Sequence, residues 1–261
     1  MRFQLLAART ALAALILAAV LGAAAIAGVR LGRIGFATGQ AVMAPATALA
    51  VVALLAALAW LKSAVSRNEG TAKRTGLAAL LGALLFLYPV ASYVWKGVAG
   101  LPIADATTNP EDPPRFVALA KLRGPGQNSP VFDGQRKLRQ DGEDVTIAYA
   151  LHNYKNGLIT KPNTKLLPGS KDPKATVFWR CFEIVKALGW HIVDYSEKDG
   201  RIEATAASFW FGQIADVVVR VRPSGFMAAR HDVRAQSREG RNDHGFTLGL
   251  VRAFKERADR S

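Results

Sequence analysis

Apolar and polar positions follow two different patterns along this chain. The first is continuous. Residues 10–29, 41–61 and 75–95 carry no charged side chain. A helix rises about 1.5 Å per residue and a bilayer core is ~30 Å thick, so each run is long enough to span. Tyr88, Tyr93 and Trp95 gather toward the far end of the third run, as an interfacial aromatic belt requires. Pro45 and Pro89 lie near run ends, where a lost amide costs least. Gly22, Gly76 and Gly82 suit close approach of helices.

The second pattern alternates. Strand side chains point to opposite faces with period two. Ile202, Ala204 and Ala206 share one face of 201–210, while Arg201, Glu203 and Thr205 share the other. Val217, Val219 and Val221 oppose Asp216, Val218, Arg220 and Arg222. His231, Val233, Ala235 and Ser237 oppose Arg230, Asp232, Arg234, Gln236 and Arg238. Three successive strands thus carry one apolar and one charged face, the pattern of an antiparallel sheet covered on one side. Asp199-Gly200 is a hairpin signal before the first of them.

Helical spacing flanks this unit. Val177, Phe178, Cys181, Phe182, Val185 and Leu188 recur at i, i+3 and i+4. Asp172 is the candidate cap, Pro173 fits the first turn and Gly189 the end. Trp190–Glu197 then reads as a strand. A last helix over 243–258, starting at Asn242 or Asp243, buries Phe246, Leu250 and Phe254. Upstream, Pro102, Pro110 and Pro113 make 99–113 an extended linker that enters a short helix at 114–122, with Pro114 at its start. Residues 124–142 and 153–170 read as loop, with a short strand at 146–152. The expectation is a multi-pass membrane anchor of three α-helices over 1–98, plus an α+β soluble domain over 99–261. Its antiparallel sheet has four strands, with helices packed on one face.

Charge adds an orientation. Residues 1–98 hold nine Lys/Arg and one acid, Glu69, which accounts for +8 of the net charge of +14. Placing the N-terminus and the second loop inside puts Arg2, Arg9, Lys62, Arg67, Lys73 and Arg74 there. Arg30, Arg33 and Lys96 fall outside. The positive-inside rule then sends 99–261 to the outer side of the membrane. Because much of the basic excess flanks spans, a nucleic-acid partner is not expected. A rival reading of the first run is a cleaved signal, with Ala25-Ile26-Ala27 as its small-x-small site. The length of the run and the two spans after it favour a retained helix. None of the three runs contains Asp, Glu, Lys, Arg or His, which gives no support to a proton or ion path.

Candidate chemistry is sparse. His152, His191, His231 and His244 stand at no metal spacing, so neither metal nor cofactor is expected. His231 lies on the apolar strand face, as a core histidine does. The single cysteine, Cys181, faces the helix core. Glu111/Asp112 and Glu143/Asp144 read as solvated loop pairs. Arg220, Arg222, Arg234, Arg238, Arg241 and Asp243 form the candidate ligand site. Arginines on one sheet face can hold phosphate or carboxylate bidentately. The structural alternative is cross-strand pairing, with Asp243 at the helix start. The expected partners are the bilayer itself and an anionic lipid or a protein. Three functions remain open: a binding module, a hydrolase or transferase acting on envelope lipid or glycan, and an accessory subunit of a membrane complex. The enzyme would need Asp232, Arg234, Arg241 and His244 in one pocket.

Four motifs in order resemble one family. DATTNPEDPPRF at 105–116, ALGWHIVDY at 187–195, the strands GRIEATAASFWFG and DVVVRVRP, and DVRAQSREGRNDHG at 232–245 are similar to the domain of unknown function 1499. The family often carries Tyr-Pro before its first core helix, where this chain has Lys161-Pro162, and the segment 124–160 looks enlarged. The resemblance implies a membrane-attached or exported bacterial domain and brings no catalytic residues with it.

Overall fold

A computed structural model describes residues 2–66, 70–140, 142–154, 158, 172–224 and 228–260. Arg67, Glu69, Lys161-Pro162, most of the 153–170 loop and Gly225 lie outside the described residues. The chain divides into two units: Met1–Lys96 with Phe209–Gly212, and Gly97–Ser208 with Gln213–Ser261.

The first unit is built on α1 (Arg2–Arg30), α2 (Phe36–Ser66) and α3 (Gly70–Ala99). Thr10–Arg30, Phe36–Lys62 and Lys73–Trp95 are long and apolar enough to cross a membrane. Small residues set the packing. A Cβ on Gly22 would stand 2.8 Å from the Phe86 ring, and one on Gly76 would stand 2.9 Å from Trp60. Both helices extend past the apolar runs, so Pro45 and Pro89 lie inside helices rather than near their ends. Hydroxyls serve the backbone beside each proline. Thr47 Oγ1 donates to the Met43 carbonyl at 2.9 Å, and Ser92 Oγ donates to that of Pro89 at 2.9 Å.

The second unit is α+β. It runs β1 (Asp105–Thr107), α4 (Ala118–Lys121), β2 (Lys137–Gln140), β3 (Glu143–Thr146), α5 (Ile147–His152), α6 (Pro173–Ala187), β4 (His191–Ser196), β5 (Arg201–Ala207), β6 (Ile214–Pro223), β7 (Ala229–Ser237) and α7 (Phe246–Arg260). The main sheet is antiparallel with order β1-β7-β6-β5-β4, five strands rather than four. The extra strand is β1, which lies within the segment read as linker. It pairs Ala106 with Ala235 of β7. A separate hairpin pairs β2, within the segment read as loop, with β3, which follows that segment. Of residues 146–152, read as a strand, Thr146 ends β3 and 147–152 form α5, which Thr146 caps: its Oγ1 accepts from Tyr149 N at 3.2 Å.

Both ends of α6 follow from local chemistry. Asp172 Oδ1 accepts from Lys174 N at 2.8 Å and Ala175 N at 3.2 Å, with Pro173 in the first turn. At the other end Gly189 takes φ +71°. Gly189 N donates to the Lys186 carbonyl and Trp190 N to that of Val185, which is a Schellman closure. At the β4–β5 turn Gly200 takes φ +65°, and a Cβ there would meet the Val221 carbonyl oxygen at 2.1 Å. Only glycine fits.

α6 and α7 cover the apolar face. Val177, Phe178, Cys181 and Val185 from α6 join Leu248, Val251 and Phe254 from α7 over Ile202, Val217, Val219, Val221 and Val233. α7 begins three residues later than expected, and Phe246 and Leu250 are only partly buried because its buried face runs through Thr247, Val251, Phe254 and Ala258. His231 sits in this core with its ring 5.7 Å from Phe254. Burial depresses its pKa, against the nearby charge of Asp232 and Asp259. Burial also pushes the Cys181 thiol up to about 12.

The charged face is covered too, which the alternation did not predict. Glu203, Asp216, Asp232 and Arg234 are each at most 1 % exposed. Phe116 and Leu119, on and beside α4, pack over Val218 on this side. Carboxylate–arginine pairing replaces apolar contact here, so most of this face is interior, while Arg222 and Arg230 at one end stay partly exposed.

Candidate functional site

The sheet register generates the charged face. β6 and β7 set Arg220 opposite Asp232 and Arg222 opposite Arg230. Two arginines directly opposed repel. Two aspartates offset this. Asp232 Oδ2 takes Arg220 Nη2 at 3.0 Å and Arg222 Nη2 at 3.2 Å, while its Oδ1 takes Arg230 Nη2 at 3.0 Å. Asp112 reaches the same arginines from the loop. Its Oδ1 lies 3.2 Å from Arg220 Nη1 and its Oδ2 lies 2.6 Å from Arg222 Nη1. Asn109 shapes that loop: its Oδ1 accepts from Asp112 N at 3.2 Å, and its Nδ2 donates to Asp232 Oδ2 at 3.4 Å.

Exposure is uneven across the group. The Asp232 side chain is 1 % exposed, Arg222 is 42 % and Asp112 is 57 %. Burial alone would raise the Asp112 carboxyl. Hydrogen bonds from Arg222 and Arg220, with their charges, outweigh it and hold the carboxyl below its usual value. Three guanidinium groups face two carboxylates, so the cluster keeps a formal positive charge at an open rim.

Arg234 belongs to a different group, farther along the same face. Its Nε and Nη2 hold Asp105 bidentately at 2.9 and 2.7 Å. Nη1 donates to the Pro114 carbonyl at 3.2 Å, and Nη2 donates to that of Pro130 at 3.0 Å. The Phe116 and Phe132 rings stack on the guanidinium at 4.8 and 5.4 Å. Burial raises the Asp105 carboxyl above its usual range, against the pull of Arg234. This group ties β1, β7 and the 108–131 segment together.

The other candidates go elsewhere. Arg238 Nε pairs with Asp216 Oδ1 at 2.8 Å, and Asp216 Oδ2 takes Arg123 Nη2 at 2.9 Å. Burial lowers the Arg123 pKa, with Asp216 opposing. Arg241 is exposed, and its carbonyl accepts from Arg136 Nη2 at 3.4 Å. Asp243 is a helix cap. Its Oδ1 accepts from Gly245 N and Phe246 N, each at 3.0 Å, and its Oδ2 from Thr247 N at 2.9 Å. Burial raises its pKa, and those bonds pull it back. Neither Arg238 nor Arg241 is the partner of this carboxylate.

The six predicted site residues therefore fall into separate groups. Arg220 and Arg222 come together. Arg234, Arg238, Arg241 and Asp243 each take other positions. Asp112 completes the first pair, although its place in a Pro-rich loop read as solvated. Nothing in the linear spacing joins residue 112 to residues 220 and 222. Glu203, placed by alternation on the charged face, has a role that no local pattern signals. It accepts from the amides of Val117, Ala118 and Leu119 at 2.8–3.2 Å and so anchors α4.

A family model described as a protein of unknown function, DUF1499, matches residues 105–257, more than half of the chain. Comparison with curated proteins finds no match.

Proposed function

The chain belongs to the DUF1499 family, and on that premise we propose that it is a membrane-anchored binding module for an anionic ligand. The ligand is a phosphate or carboxylate group, as on a lipid headgroup or a protein partner. Arg220, Arg222 and Arg230 receive it, and Asp112 and Asp232 hold the three guanidinium groups in place. The carrying observation is the half-exposed Arg222 at the rim of a cluster whose formal charge stays positive. Paired arginines hold such oxygens bidentately. Arg234 and Arg238 support the sheet from within and are not assigned to the ligand.

The module faces the outer side of a bacterial inner membrane, on the argument of the basic residues flanking the spans. The open rim favours binding over the hydrolase or transferase alternative, since catalysis works best where water is excluded. Extraction of the full chain in mild detergent, followed by mass spectrometry of what co-purifies, tests the reading. An anionic lipid or protein retained by the native chain and lost from Arg222→Gln/Arg230→Gln supports it. Equal retention by the two chains contradicts it. A phosphatase fused after Ser261 should be active in a bacterial host, and an inactive fusion with a working cytosolic reporter at that position reverses the orientation.

A further inference from the structure

The turn between β5 and β6 has an unusual composition. Ser208 and Gln213 close it with polar groups: Ser208 N donates to the Gln213 carbonyl at 2.9 Å, and Gln213 N donates to Ser208 Oγ at 3.0 Å. Its tip is Phe209-Trp210-Phe211-Gly212. Turn tips are ordinarily built from Gly, Pro, Asn, Asp and Ser. Phe209 is 81 % exposed and Trp210 is 54 % exposed. Their rings meet edge to face at 5.5 Å, so two large aromatics form one bare patch.

By its contacts this tip groups with the spanning helices. Within that unit the Phe211 ring stands edge-on to Phe36 at 5.8 Å and lies 6.4 Å from Tyr93. Phe36 begins the second apolar span, and Tyr93 lies two residues before the end of the third. The same helix end carries Tyr88 and Trp95, which are 76 % and 70 % exposed. Gln40 Nε2 donates to the Tyr93 hydroxyl at 3.0 Å. Aromatic rings with polar atoms nearby mark the bilayer–water boundary, where Trp and Tyr concentrate.

We propose that the Phe209–Phe211 tip is a membrane-inserting element, with Phe209 and Trp210 seated at the headgroup–acyl boundary beside Tyr88 and Trp95. The occupant of the bare patch is lipid. The inference rests on the reading of the three helices as spans, and it is independent of the arginine cluster.

Site-directed fluorescence on the full chain in phosphatidylcholine nanodiscs tests it. In a Cys181→Ala background, Trp210→Cys, Leu85→Cys and Glu256→Cys are each labelled with an environment-sensitive dye. Residue 210 is exposed, so the change leaves the fold intact. Leu85, 79 % exposed in the middle of α3, reports whether the helix spans. Glu256, an exposed position on α7, is the water reference. The expected result at 210 is blue-shifted emission, quenched by a spin label near the headgroup and protected from iodide. Lipid quenching at 85 with water-like emission at 210 overturns the proposal and leaves the spans standing. Water-like emission at both 85 and 210 overturns the proposal and the spanning reading together.

Discussion

Arg234 and Asp105 form a bidentate pair at 2.9 and 2.7 Å across 129 residues of sequence. The pair joins edge strand β1 to β7, next to a register contact of Ala106 with Ala235. Both partners are largely withdrawn from water, Arg234 at 1 % and Asp105 at 13 % side-chain exposure. Breaking a buried pair by removing one partner leaves the other charge uncompensated and costs about 3–5 kcal/mol. Arg234→Met should therefore lower the unfolding free energy of the C-terminal unit by that amount. Arg234→Lys should lose most of it as well, because an ammonium cannot reproduce the fork or the stacking on Phe116 and Phe132. Denaturant melts of the detergent-solubilised chain measure both. A lysine variant as stable as the native chain contradicts this role.

Asp243 should behave as a cap. Its two carboxylate oxygens serve three amides at the start of α7. Asp243→Ala should cost about 1–2 kcal/mol, as loss of a cap does when buried amides lose their acceptor. Asp243→Asn keeps one carbonyl acceptor and should cost less. Glu256→Ala, at an exposed α7 position, should stay within about 0.5 kcal/mol. A midpoint unchanged by Asp243→Ala would instead make this residue part of a binding site.

His231 should impose an acid-side loss of stability. Its folded pKa is depressed, first by burial, with Asp232 and Asp259 raising it and Lys255 and Arg230 lowering it. The unfolded imidazole takes a proton near pH 6.5. Between that value and the depressed folded pKa, the unfolded state binds more protons than the folded one. Stability then rises with pH across this window and falls as pH drops through it. Hydrogen exchange of the β7 amides between pH 7.5 and 5.5 reads the effect after correction for intrinsic exchange. His231→Gln should flatten the dependence. An identical pH slope in the two chains contradicts it.

Much of the fold was legible because its periods are clean. The three apolar runs, the i, i+3, i+4 series of α6, and the alternation in β5, β6 and β7 all appear as elements. Cys181 and His231 lie where their faces put them, in the core. β1 was hidden because three residues in a Pro-rich segment carry little pattern, and β7 supplies the partner from far along the chain. The burial of the charged face was hidden for a related reason. Alternation distinguishes apolar from polar, but it does not distinguish a solvated arginine from one paired to a distant aspartate. Arg220 and Arg222 were found from their shared face, whereas Asp112, which holds both, required the folded loop. Residues 146–152 show the opposite failure: the segment reads as a short strand, whereas 147–152 form a helix capped by the Thr146 hydroxyl.

Titration measures anion recognition at Arg220, Arg222 and Arg230 most directly. Native mass spectrometry of the full chain with short-chain phosphatidylglycerol, short-chain phosphatidylcholine and inorganic phosphate separates the ligand sources. Saturable binding of phosphatidylglycerol over phosphatidylcholine is predicted, weakened at least tenfold in Arg222→Gln/Arg230→Gln when measured well below its melting temperature, which falls because buried Asp232 loses two of its three guanidinium partners. Comparable affinity for phosphate alone would place recognition in the anion itself. Equal affinity of the native and double-variant chains for all three probes would contradict anion recognition by these arginines.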